Sequence, residues 1–239
     1  MQLYFACARW GRSYDCYWTA AKHTFSSKKS IQLLIMEAHS ANKFPVMEHF
    51  FTIQGEGANT GKPAYFIRLG GCDVGCVWCD VKASWDAEQH PLIAIETMLQ
   101  WVKASGAKNV VITGGEPMMY DLLTLTEAMK KQGLQLWLET SGAYPISGNW
   151  DWICLSPKKF KAPLSDSLQK AHELKVVVFN KSDFDWALQH QKNTNAGCKL
   201  FLQPEHSRMQ KVIPLIVDFV KTNQNWCISL QTHKVIQVP

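Results

Sequence analysis

The sequence has no long hydrophobic run. Its most extended apolar stretches, Val176–Phe179 and Val212–Val217, are far short of the ~20 residues that cross a bilayer, so neither a membrane span nor an anchor is expected. It also lacks a dense basic tract. The formal charge is +5, but residues 1–46 hold six lysines and arginines against two acids, which leaves +1 for the rest of the chain. A protein that tracks a phosphate backbone needs a basic stripe, so direct nucleic-acid binding is not expected. Internal repeats and low-complexity tracts are missing too, which excludes solenoids and disordered linkers.

The 239 residues are 46% hydrophobic and 19% charged, enough for one large globular domain with its own core. Of the eight cysteines, Cys72, Cys76 and Cys79 crowd into eight residues, while Cys154, Cys198 and Cys227 lie in apolar, strand-like runs. Those three are expected to pack as small buried hydrophobes, and the usage fits a reducing, cytoplasmic setting. Residues 1–46 have no pattern of their own, and Arg9 and Arg12 interrupt any signal-peptide core. They read as an atypical extension ahead of a domain at 47–239. Either the start lies at Met36 or Met47, or the segment is a weak organellar targeting signal.

From residue 64 onward the pattern is regular. Strands are predicted at Ala64–Leu69, Asn109–Thr113, Leu134–Glu139, Trp152–Leu155, Lys175–Phe179, Lys199–Gln203 and Cys227–Gln231. Helices are predicted at Ile93–Lys103, Leu122–Lys131 and Val212–Val220. Strands alternating with helices imply a parallel α/β sheet, and the chain is short for a closed eight-fold barrel of ~250 residues. The expected fold is an incomplete parallel (β/α) barrel. Such folds work at the carboxyl ends of their strands, where this sequence places Gly70–Asp80, Gly114–Pro117, Thr140–Gly142, Ser156–Lys158, Pro204–His206 and Thr232–Lys234. Six polar loops on one rim describe an active site.

The most specific of these loops is GGCDVGCVWCD, with Cys72, Cys76 and Cys79 spaced C-x3-C-x2-C. Thiolates on one short loop can hold three corners of a 4Fe-4S cluster and leave the fourth iron open. Gly70, Gly71 and Gly75 let the backbone wrap it. The alternative is structural zinc, which takes four closed ligands; the nearest further candidate, His90, lies eleven residues beyond Cys79.

This loop resembles that of the radical S-adenosylmethionine superfamily. The resemblance implies that the open iron chelates the methionine moiety of S-adenosylmethionine, whose one-electron cleavage gives a 5′-deoxyadenosyl radical. It places Trp78 beside the adenine, Asp80 nearby, and Gly115 and Glu116 of the GGEP loop at the methionine amino group. Over about residues 44–239 the chain further resembles the 7-carboxy-7-deazaguanine synthase family, through Thr52–Gly57, Phe66–Leu69, Val110–Thr113, Glu139–Gly142, Ser156–Lys158 and Gln231–Lys234. Members of that family are carbon-nitrogen lyases of queuosine biosynthesis. They convert 6-carboxy-5,6,7,8-tetrahydropterin to 7-carboxy-7-deazaguanine with loss of ammonia and regenerate S-adenosylmethionine.

The resemblance further assigns Ile53, Gln54, Gly55, Arg68, Thr113 and Pro239 to the pterin, and Ser156, Pro157, Lys158, Gln203, Pro204, Glu205 and His206 to the cofactor. It also implies a homodimer and an external one-electron reductant such as a flavodoxin. Arg68 has the planar fork that suits a substrate carboxylate, or it forms an inter-strand ion pair. Pro239 closes on the substrate or remains a free terminus. His206 and His233 lie on the rim without an assigned role. Where the family has a threonine that helps to hold magnesium, this chain has Val81, which offers no oxygen to a hard cation; weak magnesium dependence is expected. Two other readings share the cysteine spacing: an activase that abstracts hydrogen from a protein glycine, and a non-enzymatic iron-sulfur protein.

Overall fold

Short β-branched and aromatic runs, apolar on both faces, are stable only when a sheet buries them on both sides. In the computed structural model, which describes residues 42–239, nine strands form one sheet. They are β1 Lys43–Ile53, β2 Pro63–Leu69, β3 Leu92–Ala94, β4 Asn109–Gly114, β5 Gln135–Thr140, β6 Trp152–Leu155, β7 Glu173–Val178, β8 Lys199–Pro204 and β9 Trp226–Ile228. The order across the sheet is β3-β1-β2-β4-β5-β6-β7-β8-β9. The helices are α1 Ile95–Ser105, α2 Leu123–Lys131, α3 Ser165–Lys170, α4 Ser182–Gln191, α5 Met209–Thr222 and α6 Thr232–Ile236. Among the described residues, no helix is long and apolar enough to cross a membrane.

From β2 to β9 every neighbour is parallel, and the open sheet is the incomplete barrel read from the sequence. The sheet is nevertheless mixed, because β1 pairs antiparallel with both β2 and β3. The domain boundary also moves. Residues 43–46, assigned to the extension, open β1, where Phe44 and Val46 are buried and Lys43, Phe44 and Pro45 pair with β3. The rest of the extension, residues 1–41, lies outside the described residues.

Two apolar layers cover the outside of the sheet. Ile95, Met98 and Val102 of α1 and Leu125 and Met129 of α2 belong to one cluster with Ile67, Val110, Ile112, Leu136 and Leu138. Val212 and Ile216 of α5 do the same with Leu174, Val176, Leu200 and Leu202. The other face forms the barrel interior. Strand register aligns Phe66, Val111, Trp137 and Trp152 in one row, an apolar floor completed by Ala64. Because side chains alternate with period two, the next inward row reads Arg68, Thr113, Glu139 and Cys154. One strand step separates a hydrophobic floor from a polar row. Cys154 is buried there as expected, but Cys198 is only partly buried and Cys227, on the edge strand β9, is exposed.

Candidate active site

The polar row opens into a cavity of about 310 Å³ at the carboxyl ends of the strands. Its wall begins with the cluster loop. After β2 the chain turns through Gly71 (φ 98°) and Gly75 (φ 75°), a left-handed backbone that other residues rarely adopt. The Cys72 N–H donates to the Trp85 carbonyl at 3.1 Å, and the Cys79 N–H to the Cys76 carbonyl at 3.1 Å. Cys72, Cys76 and Cys79 all line the cavity. Burial, joined by the charges of Glu116, Cys76 and Cys79, pushes the Cys72 thiol up to about 11; burial raises Cys76 likewise. Neighbouring thiols that line one cavity and repel one another as thiolates are a donor set for a positive centre. They fit a 4Fe-4S cluster.

The GGEP loop is built against this one. The Gly115 N–H donates to the Leu69 carbonyl and the Glu116 N–H to the Gly71 carbonyl, both at 2.9 Å. A Cβ at Gly115 would lie 2.2 Å from the Gly71 carbonyl oxygen, so only glycine permits the approach. The Glu116 carboxylate, almost fully buried, accepts from Met118 N and Thr140 Oγ1 on Oε1 and from Ser141 N and Oγ on Oε2. Its lone pairs are taken by the protein, so the side chain ties this loop to the end of β5. Trp78 faces Lys158, whose ammonium lies 5.7 Å from the indole centroid and donates to Ser156 O and Oγ at 2.9 and 2.6 Å.

The opposite wall carries the residues expected to meet a pterin. Ile53, Gln54, Gly55, Arg68, Thr113 and Pro239 all reach the cavity. Arg68 is in an inter-strand ion pair, with Nε donating to Glu48 Oε1 at 2.6 Å. Neither Nη group has a hydrogen-bond partner among the described residues, so the same side chain pairs through Nε and presents its fork to the cavity. Pro239 is not a loose end: Thr52 Oγ1 donates to its carbonyl oxygen at 3.2 Å. Thr232 N and Oγ1 donate to the Gly55 carbonyl at 2.9 and 3.0 Å, which fastens α6 over the turn at Gln54 and Gly55. Asp80, Val81, Gly115, Glu116, Ser156, Lys158, Gln203, Pro204, Glu205 and His206 line the cavity as well. Pro157 does not; it is buried behind Ser156 and Lys158. The Glu205 carboxylate turns inward on its own loop, accepting from Ser207 N and Oγ.

Sequence reasoning missed a charged cluster. Lys175, 4% exposed, places Nζ 2.6 Å from Glu56 Oε2 and 2.9 Å from Glu139 Oε2. Gln54 Nε2 donates to Glu139 Oε1 at 3.2 Å, and Gln231 Nε2 to Glu56 Oε1 at 2.8 Å. All five line the cavity. The two carboxylates diverge. Burial pushes Glu56 up, but the Lys175 ammonium and hydrogen bonds from Lys175, Gln231 and Gln203 outweigh it and hold the carboxyl at about 2. For Glu139, burial prevails over Lys175 and, with the charges of Glu56 and Glu173, keeps the carboxyl above its ordinary value. One member stays ionised while the other sits nearer protonation, a division typical of acid and base partners. Burial lowers His233 as well. The signal was available: Lys175 is a charge inside an apolar strand, two residues on from buried Glu173.

Comparison with known proteins agrees with this geometry. Residues 66–155 match the family model of the Radical SAM superfamily. The 7-carboxy-7-deazaguanine synthase of Flavobacterium psychrophilum is 48% identical over 211 residues, covering 88% of this chain and 99% of that protein. The enzyme of the same name from Synechocystis sp. is 45% identical over 195 residues, covering 82% and 93%. The crystal structure of QueE from Escherichia coli superposes with a TM-score of 0.72 at 31% identity, over 82% of this chain and 97% of that one. Identity of this extent, spanning nearly the full length of each relative, settles the ancestry: the chain belongs to the 7-carboxy-7-deazaguanine synthase family of the radical S-adenosylmethionine superfamily, whose chemistry runs on a 4Fe-4S cluster and S-adenosylmethionine.

Proposed function

We propose that this chain converts 6-carboxy-5,6,7,8-tetrahydropterin to 7-carboxy-7-deazaguanine with release of ammonia. One observation carries the reading: the cavity that holds the three thiols also holds the Arg68 fork and the Gln54–Glu139 pair. A cation for a carboxylate and an amide and carboxyl for ring nitrogens are what a carboxypterin requires. The product is the substrate less one ammonia, so the reaction has no net redox change. When bound, the reduced cluster and S-adenosylmethionine supply the one-electron cleavage that starts hydrogen abstraction.

The residues do the rest. Arg68 grips the carboxylate through its two Nη groups while Glu48 holds Nε. Gln54 is oriented from both ends, by Glu139 and by the Glu56 N–H at 3.1 Å, so it presents a fixed hydrogen-bonding edge. Glu139, held above its ordinary pKa, is the carboxyl best placed to hold or release a proton. Trp78 and Lys158 offer a flat face to the adenine. Residues from α6 to Pro239, fastened to Gly55 and Thr52, restrict water.

Magnesium does not fit the donors present. The Val81 side chain has no oxygen and its carbonyl accepts from Ser84 N and Oγ, while the adjacent carboxylate, Asp80, has the Lys234 ammonium 3.6 Å away. We therefore infer weak magnesium dependence. Chelation should lower turnover less than about twofold; a collapse reversed only by magnesium refutes this. The reading also includes an external one-electron donor such as a flavodoxin, and a homodimer, which exposed Ile228, Leu230, Val235 and Ile236 near the β9 edge support. The decisive experiment is anaerobic incubation with the pterin, following the deazapurine chromophore and ammonia. Cleavage of S-adenosylmethionine without deazapurine favours instead an activase acting on a protein glycine.

A further inference from the structure

The segment after β6 reads Lys158-Lys159-Phe160-Lys161, and its side chains are tied to three places, Lys158 and Phe160 sharing one. It forms a tight turn, with Lys158 and Lys161 bridged and the Lys161 N–H donating to the Lys158 carbonyl at 3.3 Å. Lys158 lies over the Trp78 ring, and the Phe160 ring meets Trp78 edge-on at 6.4 Å between centroids. Lys159 Nζ is 2.7 Å from Asp183 Oδ1 and donates to Ser182 Oγ at 2.8 Å, which stakes one side of the turn to the first residues of α4. Lys161 stakes the other side. Its Nζ donates to Asp73 Oδ1 and Oδ2 at 3.0 and 2.8 Å and to Tyr144 Oη at 2.7 Å. Tyr144 Oη in turn donates to Asp73 Oδ2 at 2.6 Å, and the ammonium lies 3.9 Å from the Tyr144 ring centroid.

Asp73 immediately follows the ligand Cys72. The triangle therefore joins the cluster loop, the β5–β6 connection and the turn that covers Trp78. An isolated ion pair at a half-exposed position does little, because holding two long side chains in place offsets the attraction. Here each member engages both others, so ordering one orders all three. We propose that Lys158–Lys161 is a strap over the adenine face of the cofactor site, and that Asp73, Tyr144 and Lys161 are the positioning residues that hold it closed against the cluster loop. This rests on the reading that S-adenosylmethionine lies against Trp78. Neither Asp73 nor Lys161 touches the reacting atoms; they act by fixing the distance between the strap and the loop that carries the cluster.

The test is calorimetric titration of S-adenosylmethionine into the full-length protein with its cluster oxidised, where binding occurs without cleavage, alongside iron and sulfide counts. Lys161→Met and Asp73→Asn should each weaken binding about tenfold, as expected for coupled neighbours, at unchanged iron content. Lys161→Arg, which keeps the charge, should stay within about threefold of wild type. In turnover the KM for S-adenosylmethionine should rise while kcat at saturation changes little, a split that general loss of folded protein does not produce. Affinity within twofold of wild type for Lys161→Met, or a Lys161→Arg as weak as Lys161→Met, overturns the proposal. Should either charge-removing variant lose iron, Tyr144→Phe decides: it removes one hydroxyl and should weaken binding about threefold, and no change refutes the strap. A wild-type protein that binds no S-adenosylmethionine would sink the cofactor-site reading itself, whereas normal wild-type binding with unaffected variants sinks only the strap.

Discussion

Replacing Lys175 by methionine should destabilise this protein more than any loss of a surface charge. Methionine keeps most of the stem and removes the ammonium, which is 4% exposed and lies 2.6 and 2.9 Å from two carboxylates. Stripping one partner from a buried ion pair costs ~3–5 kcal/mol, because the other charge remains out of water. The Glu56 carboxyl points the same way, with Lys175 as the largest influence holding it down, ahead of hydrogen bonds from Gln231 and Gln203. Its descent from 4.5 to about 2 corresponds to ~3 kcal/mol at ~1.4 kcal/mol per pH unit. The folded value lies below the unfolded one, so this contribution is complete above about pH 4.5 and is lost as the pH falls from there towards about 2. Glu139, whose folded value is raised, runs the opposite way and offsets part of the acid loss. For a domain of this size, the melting temperature of the anaerobic, cluster-loaded protein at pH 7.5 should fall by ~6–20 °C in Lys175→Met. Adding Glu56→Gln should restore part of it, because the stranded charge is then gone. A fall of less than about 2 °C, or a double variant no more stable than the single, refutes the account of Lys175 as the counter-ion of a buried carboxylate pair.

Three further outcomes follow from the same geometry. Arg68→Ala should lower kcat/KM for the pterin at least about a hundredfold, since two charge-assisted hydrogen bonds are lost, while cleavage of S-adenosylmethionine without substrate persists; Glu48→Gln, which removes the counter-charge but leaves an amide oxygen for Nε, should cost about tenfold or less. Gly55→Ala should abolish turnover and lower the melting temperature, because its Cβ would fall 2.2 Å from His233 Nδ1 and 2.7 Å from the His233 nitrogen, forcing α6 away from the cavity; an active Gly55→Ala protein contradicts the closed position of α6. A chain begun at Met47 should melt below one begun at Met36, as it loses buried Phe44 and Val46 and the β1–β3 pairing, a deficit of ~3–6 kcal/mol from apolar burial alone; equal melting curves refute the role of residues 43–46 in the fold.

Most of the barrel was legible because parallel strands and covering helices leave strong local signals. Runs such as Val110–Ile112 and Leu136–Leu138 are apolar on consecutive positions, and the polar loops fall at one end of each strand. What escaped notice had weak or non-local signals. β1 carries Pro45, Glu48 and His49 among its apolar residues, since an antiparallel strand near the sheet edge need not be hydrophobic throughout. β3 has three residues, too few to show a period, and in sequence its Ile93 reads as the start of the helix. β9 ends at Ile228, so exposed Cys227 and Leu230 lie at or past a short edge that the expected Cys227–Gln231 strand would have covered. The triad Glu56, Glu139 and Lys175 is brought together across 119 and 36 residues, and no linear motif reports such a meeting.

The split between legible and hidden residues has a physical basis in how the site is assembled. The cluster loop is a local device: three thiols and positive-φ glycines within one turn of chain suffice to hold a metal cluster, and any radical enzyme of this superfamily can use them. In the proposed function, selection of a carboxypterin depends instead on the inward row of the sheet, where Arg68, Thr113 and Glu139 stand one strand step beyond Phe66, Val111 and Trp137. Register alone decides which side chains meet there. A one-residue slip of β5 would turn Glu139 outward and bring an apolar neighbour into the cavity, leaving Lys175 with a single carboxylate and Gln54 without the partner that orients it. The apolar layers that lock the register, Ile112 with Leu138 on the outer face and Val111 with Trp137 on the inner, therefore act on substrate choice as directly as on stability. That is why the thiols, Arg68 and Thr113 are readable from linear motifs, while the meeting of Glu56, Glu139 and Lys175 is readable only from the folded sheet.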